Sequence, residues 1–299
     1  MPARAHLTFL HPTHTQASLG ALNTIILAHG WKLALSELGD LLEELPNLVG
    51  ESDLHMAHLC LVLVCTIVRT TKASLVPKVG EIILPKAVAL LESPVLQGYA
   101  LRSLLSLFTE LVHQDAPEHN FQSLTSQLLA IPSAKSVPKN ALAAISQAVA
   151  ACCINAPMAA QRDAMILTFA DSVSEAQSEP TRTLSLLCLG EIGREHDLSS
   201  HDKLIDSILG TFASGSDEVR PHNPDCVRRR CGWGFARPTP GLVAAQITAA
   251  ASFALGNIAA CNPSVYLPVV LRDVACSDHQ YLILHALKDM LASGKVAGP

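Results

Sequence analysis

The residues best suited to chemistry lie between Val219 and Gln246. His222, Cys226 and Cys231 bring three zinc-type donors together, and imidazole and thiolate are ligands zinc prefers. The Cys-x4-Cys spacing has no second pair nearby, whereas a structural site needs four ligands. In the same stretch Arg228, Arg229 and Arg230 stand beside Trp233 and Phe235. Guanidinium groups for phosphate and rings for stacking are what single-stranded nucleic acid uses. Four of the chain's 18 prolines and five arginines without a lysine also fit a flexible partner-binding loop.

A fourth reading concerns the origin of this segment. It begins at Val219, whose codons all start GT, and ends at Gln246, whose codons include CAG. These are the two ends of a typical intron. The 28 residues 219–246 correspond to 84 nucleotides, which keep the frame. A retained intron is therefore the favoured expectation here. Residues 1–16 also end in glutamine and read as an irregular or spurious tail, with His6, His11 and His14 as its only metal-type donors.

Elsewhere the candidates are thinner. Asp53, His55, His58 and Cys60 share one helical pattern, and His55 and His58, three apart, can face together. A capped helix start and a half-buried histidine are commoner explanations than a metal site. Cys152 and Cys153 are adjacent, so they point to different faces of a helix and read as core. The sequence has no Gly-rich phosphate loop, no nucleophile elbow and no His-Glu-x-x-His. The expectation is a protein that is not an enzyme, with no catalytic residue, metal or cofactor and no small-molecule substrate.

The elements that would position these residues are helices. Of the 299 residues 49% are apolar but only 4% aromatic, a composition for helix-on-helix packing with small contacts. The net charge of −5 supplies no basic field for nucleic acid. The nine scattered cysteines fit buried thiols in an intracellular protein. The longest apolar stretch, Leu59 to Val68 with Thr66 inside it, falls short of the ~20 residues of a membrane span.

Leu204, Ile205, Ile208, Leu209 and Phe212 form one stripe at a 3.6-residue period. Ser178 and Pro180 announce the preceding helix, Ser178 as its expected cap. Such patterns recur from Leu19 to His29, Lys32 to Leu45, from Ser52 as the expected cap to Arg69, Leu75 to Leu91 with a bend at Pro85, and Ser93 to Val112. They continue from Phe121 to Ile131, Pro138 to Ile154, Met158 to Val173, Pro263 to Val274 and Tyr281 to Ala292. Second helices of successive pairs begin near Asp53, Pro94, Lys139 and Thr181, at intervals of 41, 45 and 42 residues. A helix pair about every 40 residues is the HEAT or armadillo period.

The expected fold is all-α, a HEAT/armadillo-type α-solenoid of about six helix pairs. Its repeats occupy residues 17–218 and 247–299, separated by the irregular segment 219–246. The break shows in the Leu-Gly step, which recurs from Leu189-Gly190 to Leu255-Gly256 after 66 residues.

Six short stretches stand out: Glu51-Ser-Asp-Leu-His-Met, Ser93-Pro-Val-Leu-Gln-Gly, Leu187-Cys-Leu-Gly-Glu-Ile-Gly with Asp197-Leu-Ser, Ala251-Ser-Phe-Ala-Leu-Gly-Asn-Ile, Tyr266-Leu-Pro and Gln280-Tyr-Leu-Ile-Leu-His-Ala-Leu-Lys. Together the set resembles one family, the cullin-associated and neddylation-dissociated proteins, and falls in that family's order over part of its length. In that pattern the Ser-Asp-Glu-Val step runs almost directly into the Ala-Ala-Ser helix, so residues 219–246 stand as an interruption. The resemblance implies a cytoplasmic and nuclear regulator that binds the scaffold of cullin–RING ubiquitin ligases, with neither nucleic acid nor membrane as partner. A karyopherin-type transport or assembly adaptor is the competing reading of a HEAT array.

Second helices of HEAT pairs line the side where partners sit. Asp53, His55, Gln97, Arg102, Lys139, Arg182 and Lys288 are the polar positions there and the candidate contact residues. Leu291, Val296 and the residues around Leu19 are expected to lack a stacking neighbour.

Overall fold

The structure, a computed structural model, describes residues 12–134, 137–175, 178–216, 240–276 and 280–292. Among these residues there are 14 α-helices and no strand. The fold is the all-α, HEAT-type solenoid architecture. The chain separates into two compact units, Met1–Arg162 and Asp163–Pro299.

The first unit contains α1 (Pro12–His29), α2 (Leu35–Glu44), α3 (Leu54–Thr71), α4 (Val76–Ile82), α5 (Leu84–Leu91), α6 (Gly98–Gln114), α7 (Phe121–Ala134) and α8 (Lys139–Ile154). One row stacks in the order α1, α3, α6, α8; α2, α5 and α7 back onto it, and α4 packs against α2 and α5. The central helix is α3. Eleven of its 18 residues are buried, among them Cys60, Leu61, Leu63, Val64, Ile67 and Val68. Burying an aliphatic side chain contributes roughly 1.5–3 kcal/mol, so this wide apolar face fixes α3 between α1 and α6.

The stretch Leu54–Ile82 is long and apolar enough to cross a membrane by length and composition alone. Counting only Leu59–Val68 underestimated it, because isolated polar residues do not break an apolar helix. Here most of it is buried inside the protein as a core helix.

The second unit holds most of α9 (Ala159–Glu175), and α10 (Glu179–Glu195), α11 (Asp202–Ser216), α12 (Pro240–Cys261), α13 (Pro263–Cys276) and α14 (Gln280–Ala292). Its row runs α10, α12, α14, with α11 and α13 packed against α12 and α14. Leu204, Ile205, Ile208 and Phe212 are buried and Leu209 is half-buried, as their stripe requires.

Several boundaries differ from the sequence reading. Helix α1 starts at Pro12, not Leu19, so Pro12–Gln16 is helical rather than part of an irregular tail. Leu19 is only 1% exposed, so it does not lack a neighbour. Helix α1 lies along α3, and an apolar residue in its middle turns there. The cap of α3 is Asp53 rather than Ser52: the Asp53 carboxylate accepts the Met56 N–H at 2.9 Å. Ser178 does occupy the cap of α10, but its side chain makes no capping bond.

The bend expected at Pro85 is the break at Ile83 between α4 and α5. Proline supplies no N–H there, which opens the ladder one turn back. Helix α6 begins at Gly98, and Ser93–Gln97 forms the turn before it. Residues 240–246, read as the end of the irregular segment, are the first turns of α12. Pro240 suits a helix start, and Leu-Val-Ala-Ala-Gln carries nothing that opposes a helix. The rest of the segment, with His222, Cys226, Cys231, Arg228–Arg230, Trp233 and Phe235, lies outside the described residues, as do His6, His11 and Val296.

Candidate partner surface

In the first unit the starts of α3, α6 and α8 meet along one edge. Two hydrogen bonds tie their preceding turns together. The Ser93 hydroxyl donates to Glu51 Oε2 at 2.7 Å. Asn140 Nδ2 donates to the Pro94 carbonyl at 3.2 Å. Asp53, His55, Gln97, Arg102 and Lys139 all lie on these helices within about two turns of that edge, and all are exposed.

Two of these side chains, His55 and Arg102, join His58 and Tyr99 in a ladder across α3 and α6. The His55 and His58 rings are 6.2 Å apart between centroids, tilted by 38°. His58 faces Tyr99 at 5.7 Å. The Arg102 guanidinium lies over the Tyr99 ring at 5.7 Å, within cation–π range. Tyr99 is 71% exposed.

The order of the ladder follows from helix geometry. His55 and His58 are three apart on α3, and Tyr99 and Arg102 three apart on α6, so each pair shares a face. Burial pulls the His58 pKa below its usual value, the neighbouring His55 lowers it further, and a hydrogen bond to the Tyr99 backbone works the other way. His58 Nδ1 is buried and has no hydrogen-bond partner.

Asp53 is spent on its cap, so its contact role competes with a structural one. Gln97 sits at the cap position of α6 but makes no capping bond. Arg182 and Lys288 belong to the second unit. Arg182 is half-buried on the first turn of α10, and its Nε has no hydrogen-bond partner. Lys288 is exposed on α14, on the stripe of Tyr281, Leu284 and Leu291, which are 71%, 52% and 65% exposed. The candidates thus comprise one cluster and two separate positions.

Tyr99 was not among the sequence candidates. An aromatic three residues before an arginine at a helix start is the pattern that finds it.

Among the described residues no group of three or more His, Cys, Asp or Glu is placed to hold a metal ion. Cys60, Cys65, Cys152, Cys153 and Cys188 are buried free thiols. Burial pushes Cys60, Cys65 and Cys153 up to about 12, with their charged neighbours adding smaller effects, and Cys152 higher still. A thiol held protonated is a poor nucleophile.

The family stretches have a packing role in the second unit. In Leu189-Gly-Glu-Ile-Gly, a Cβ on Gly190 would stand 2.8 Å from the Phe253 ring and 3.0 Å from the Ala254 backbone. Gly193 faces Ile258 as closely. These glycines let α10 and α12 touch almost backbone to backbone. Arg194 closes the contact, donating to Asn257 Oδ1 at 3.3 Å, pairing with Glu191 at 3.2 Å and lying over the Phe253 ring. Asn262 donates to Asp197 at 2.9 Å, which ties the Asp197-Leu-Ser turn to the end of α12.

No family model matches the chain. Individual relatives do. A cullin-associated NEDD8-dissociated protein 1 from Arabidopsis thaliana is 33% identical over 290 residues, covering 94% of this chain and 21% of the relative. The protein of that name from Dictyostelium discoideum is 31% identical over 283 residues, 92% of this chain and 20% of the relative. A cullin-associated NEDD8-dissociated protein 2 from Rattus norvegicus is 28% identical over 287 residues, 93% and 20%. The chain therefore spans about a fifth of the length of the curated relatives it matches. Likeness over more than nine-tenths of its residues makes it, in part length, a member of the cullin-associated NEDD8-dissociated protein family.

Proposed function

We propose that the chain is part of a non-enzymatic, protein-binding regulator of cullin–RING ubiquitin ligases. In this reading it contributes to binding a cullin that lacks its ubiquitin-like modifier, and so to exchange of substrate-receptor modules, in cytoplasm and nucleus. The observation that carries it is the likeness, over more than nine-tenths of the chain, to proteins whose names state a cullin association. A stacked helical array with an exposed tyrosine and arginine on one edge suits a binding surface better than a closed active site.

Exchange follows from coupling. If this protein and a substrate-receptor module each weaken the other on one scaffold, binding of one speeds loss of the other. The coupling free energy is reciprocal, typically about 1–3 kcal/mol.

A pull-down tests the reading. The chain is offered unmodified cullin, modified cullin and a Ran-type GTPase. Retention of unmodified cullin in preference to the other two is expected. Retention of the GTPase alone overturns the proposal in favour of a karyopherin-type adaptor.

A further inference from the structure

We propose that the face formed by Tyr99 and Arg102, with His55, His58 and Lys139 beside it, seats an acidic segment of a partner protein. The proposal rests on reading the chain as a protein-binding scaffold and names the chemistry of one contact.

The charges argue for it. The chain carries a net −5, yet this edge presents two exposed cations, Arg102 and Lys139, beside the carboxylates of Glu51 and Asp53. Among the described residues neither Arg102 nor Lys139 has an ion pair, and the Arg102 guanidinium lies over the Tyr99 ring. The two acids at the same edge are engaged by the chain itself. Glu51 accepts from the Ser93 hydroxyl and Asp53 from the Met56 N–H. The Arg102 guanidinium and the Lys139 ammonium therefore keep their donors for an incoming carboxylate.

The geometry adds specificity. Stacking on Tyr99 holds the guanidinium, so less side-chain freedom is lost when a carboxylate docks. Tyrosine and arginine are also the residue types that most often carry interface energy. A polyanion of high charge density fits less well. Glu51 and Asp53, interspersed along the edge, repel a continuous polyanion backbone, while a short acidic peptide can dock clear of both.

The test measures anisotropy of three labelled probes with the full chain: oligo-glutamate, oligo-lysine and oligo-dT. Oligo-glutamate is expected to bind, more tightly at low salt, and oligo-lysine not to bind. The variant R102E/K139E is expected to weaken oligo-glutamate about tenfold and flatten its salt dependence, with an unchanged circular dichroism spectrum. R102Q/K139Q falls between, and Tyr99→Ala loses several-fold.

Absence of oligo-glutamate binding overturns the proposal. So does binding that the double variants leave unchanged, or oligo-dT binding in preference to oligo-glutamate. A parallel arm uses unmodified cullin. If oligo-glutamate binds through this face while cullin does not bind at all, the acidic seat stands and the cullin reading falls. If cullin binds wild type and R102E/K139E equally, the cullin reading stands and the seat is overturned.

Discussion

Gly256 of α12 approaches Ala286 of α14 so closely that a Cβ on the glycine would lie 2.6 Å from the Ala286 carbonyl oxygen. The obstacle is backbone, which cannot rotate away. The Asp289 Cβ would also stand 3.0 Å off. Together with Gly190 and Gly193 on the other side of α12, this glycine lets α10, α12 and α14 stack at short range.

Gly256→Ala gains up to about 1 kcal/mol of helix propensity but meets an overpacking cost of about 1–3 kcal/mol. Net destabilisation is expected, read as a lower urea midpoint of the helical signal. Gly20→Ala on α1 is the contrast, because open space surrounds its position, and its midpoint should rise. A rise for Gly256→Ala would show that α14 moves aside freely.

The glycines also show what was legible in the sequence. Leu-Gly-Glu-Ile-Gly and Ala-Leu-Gly-Asn-Ile stood out as motifs, and the helix period placed them in second helices. Their reason, contact between backbones, needs two helices in register and is invisible in either one alone. The stripe of Leu204, Ile205, Ile208 and Phe212 was readable because periodicity along a single helix determines it. Tyr99 was missed for the opposite reason: its neighbours His58 and Arg102 are brought together by tertiary stacking and the α6 turn, and only their spacing within each helix is local.

The capping of α3 gives a second prediction. Asp53 accepts the Met56 N–H, while the neighbouring Ser52 makes no such bond at the cap position. Asp53→Ala should cost about 1 kcal/mol and Ser52→Ala close to nothing, both measured by urea unfolding. Equal costs would show that the cap is shared.

A third concerns the ion pair that joins α3 to α6. Arg69 reaches Glu110 Oε1 at 2.6 Å, with the arginine side chain 55% exposed and the glutamate 11%. The burial is lopsided, so the two deletions should differ. Arg69→Met leaves a largely buried carboxylate without its cation, whereas Glu110→Leu leaves an arginine that water can reach. Screening of the half-exposed partner holds the first cost to about 1–2 kcal/mol, below that of a fully buried pair. Glu110→Leu should cost less than Arg69→Met in unfolding midpoint. The reverse order would mean that Glu110 is needed for more than this pair.

His58 supplies a pH signature. Burial first, and His55 second, hold its folded-state pKa below the ordinary 6.5. The unfolded chain therefore binds more protons between the folded-state pKa and 6.5, and stability rises with pH across that window. The loss on acidification begins below about 6.5 and is complete once pH passes beneath the folded-state pKa. Histidine titration by NMR should show the His58 midpoint below 6.5, moving up in His55→Gln. His58→Gln should remove this part of the acid dependence. A wild-type midpoint at or above 6.5 would contradict the buried position beside Tyr99.

The last prediction concerns residues 219–246. Helix α12 has 22 residues, against 16 for α8 and 17 for α10. Its first seven, Pro240–Gln246, belong to the segment bounded by a GT-type and a CAG-type codon. From Glu179, the start of α10, to Ile247 is 68 positions, and removing the 28 leaves 40, equal to the step from Lys139 to Glu179 between α8 and α10. Excising the segment would thus restore both the period and an ordinary helix length. Helix α11 would then be joined to α12 by a turn of about two residues, within the usual range for such pairs. Amplification across this region from spliced RNA should give a product shorter by 84 nucleotides. The protein lacking 219–246 should fold with the same helical signal and an equal or higher thermal midpoint. Transcripts that all keep the 84 nucleotides would make the segment a genuine part of the chain.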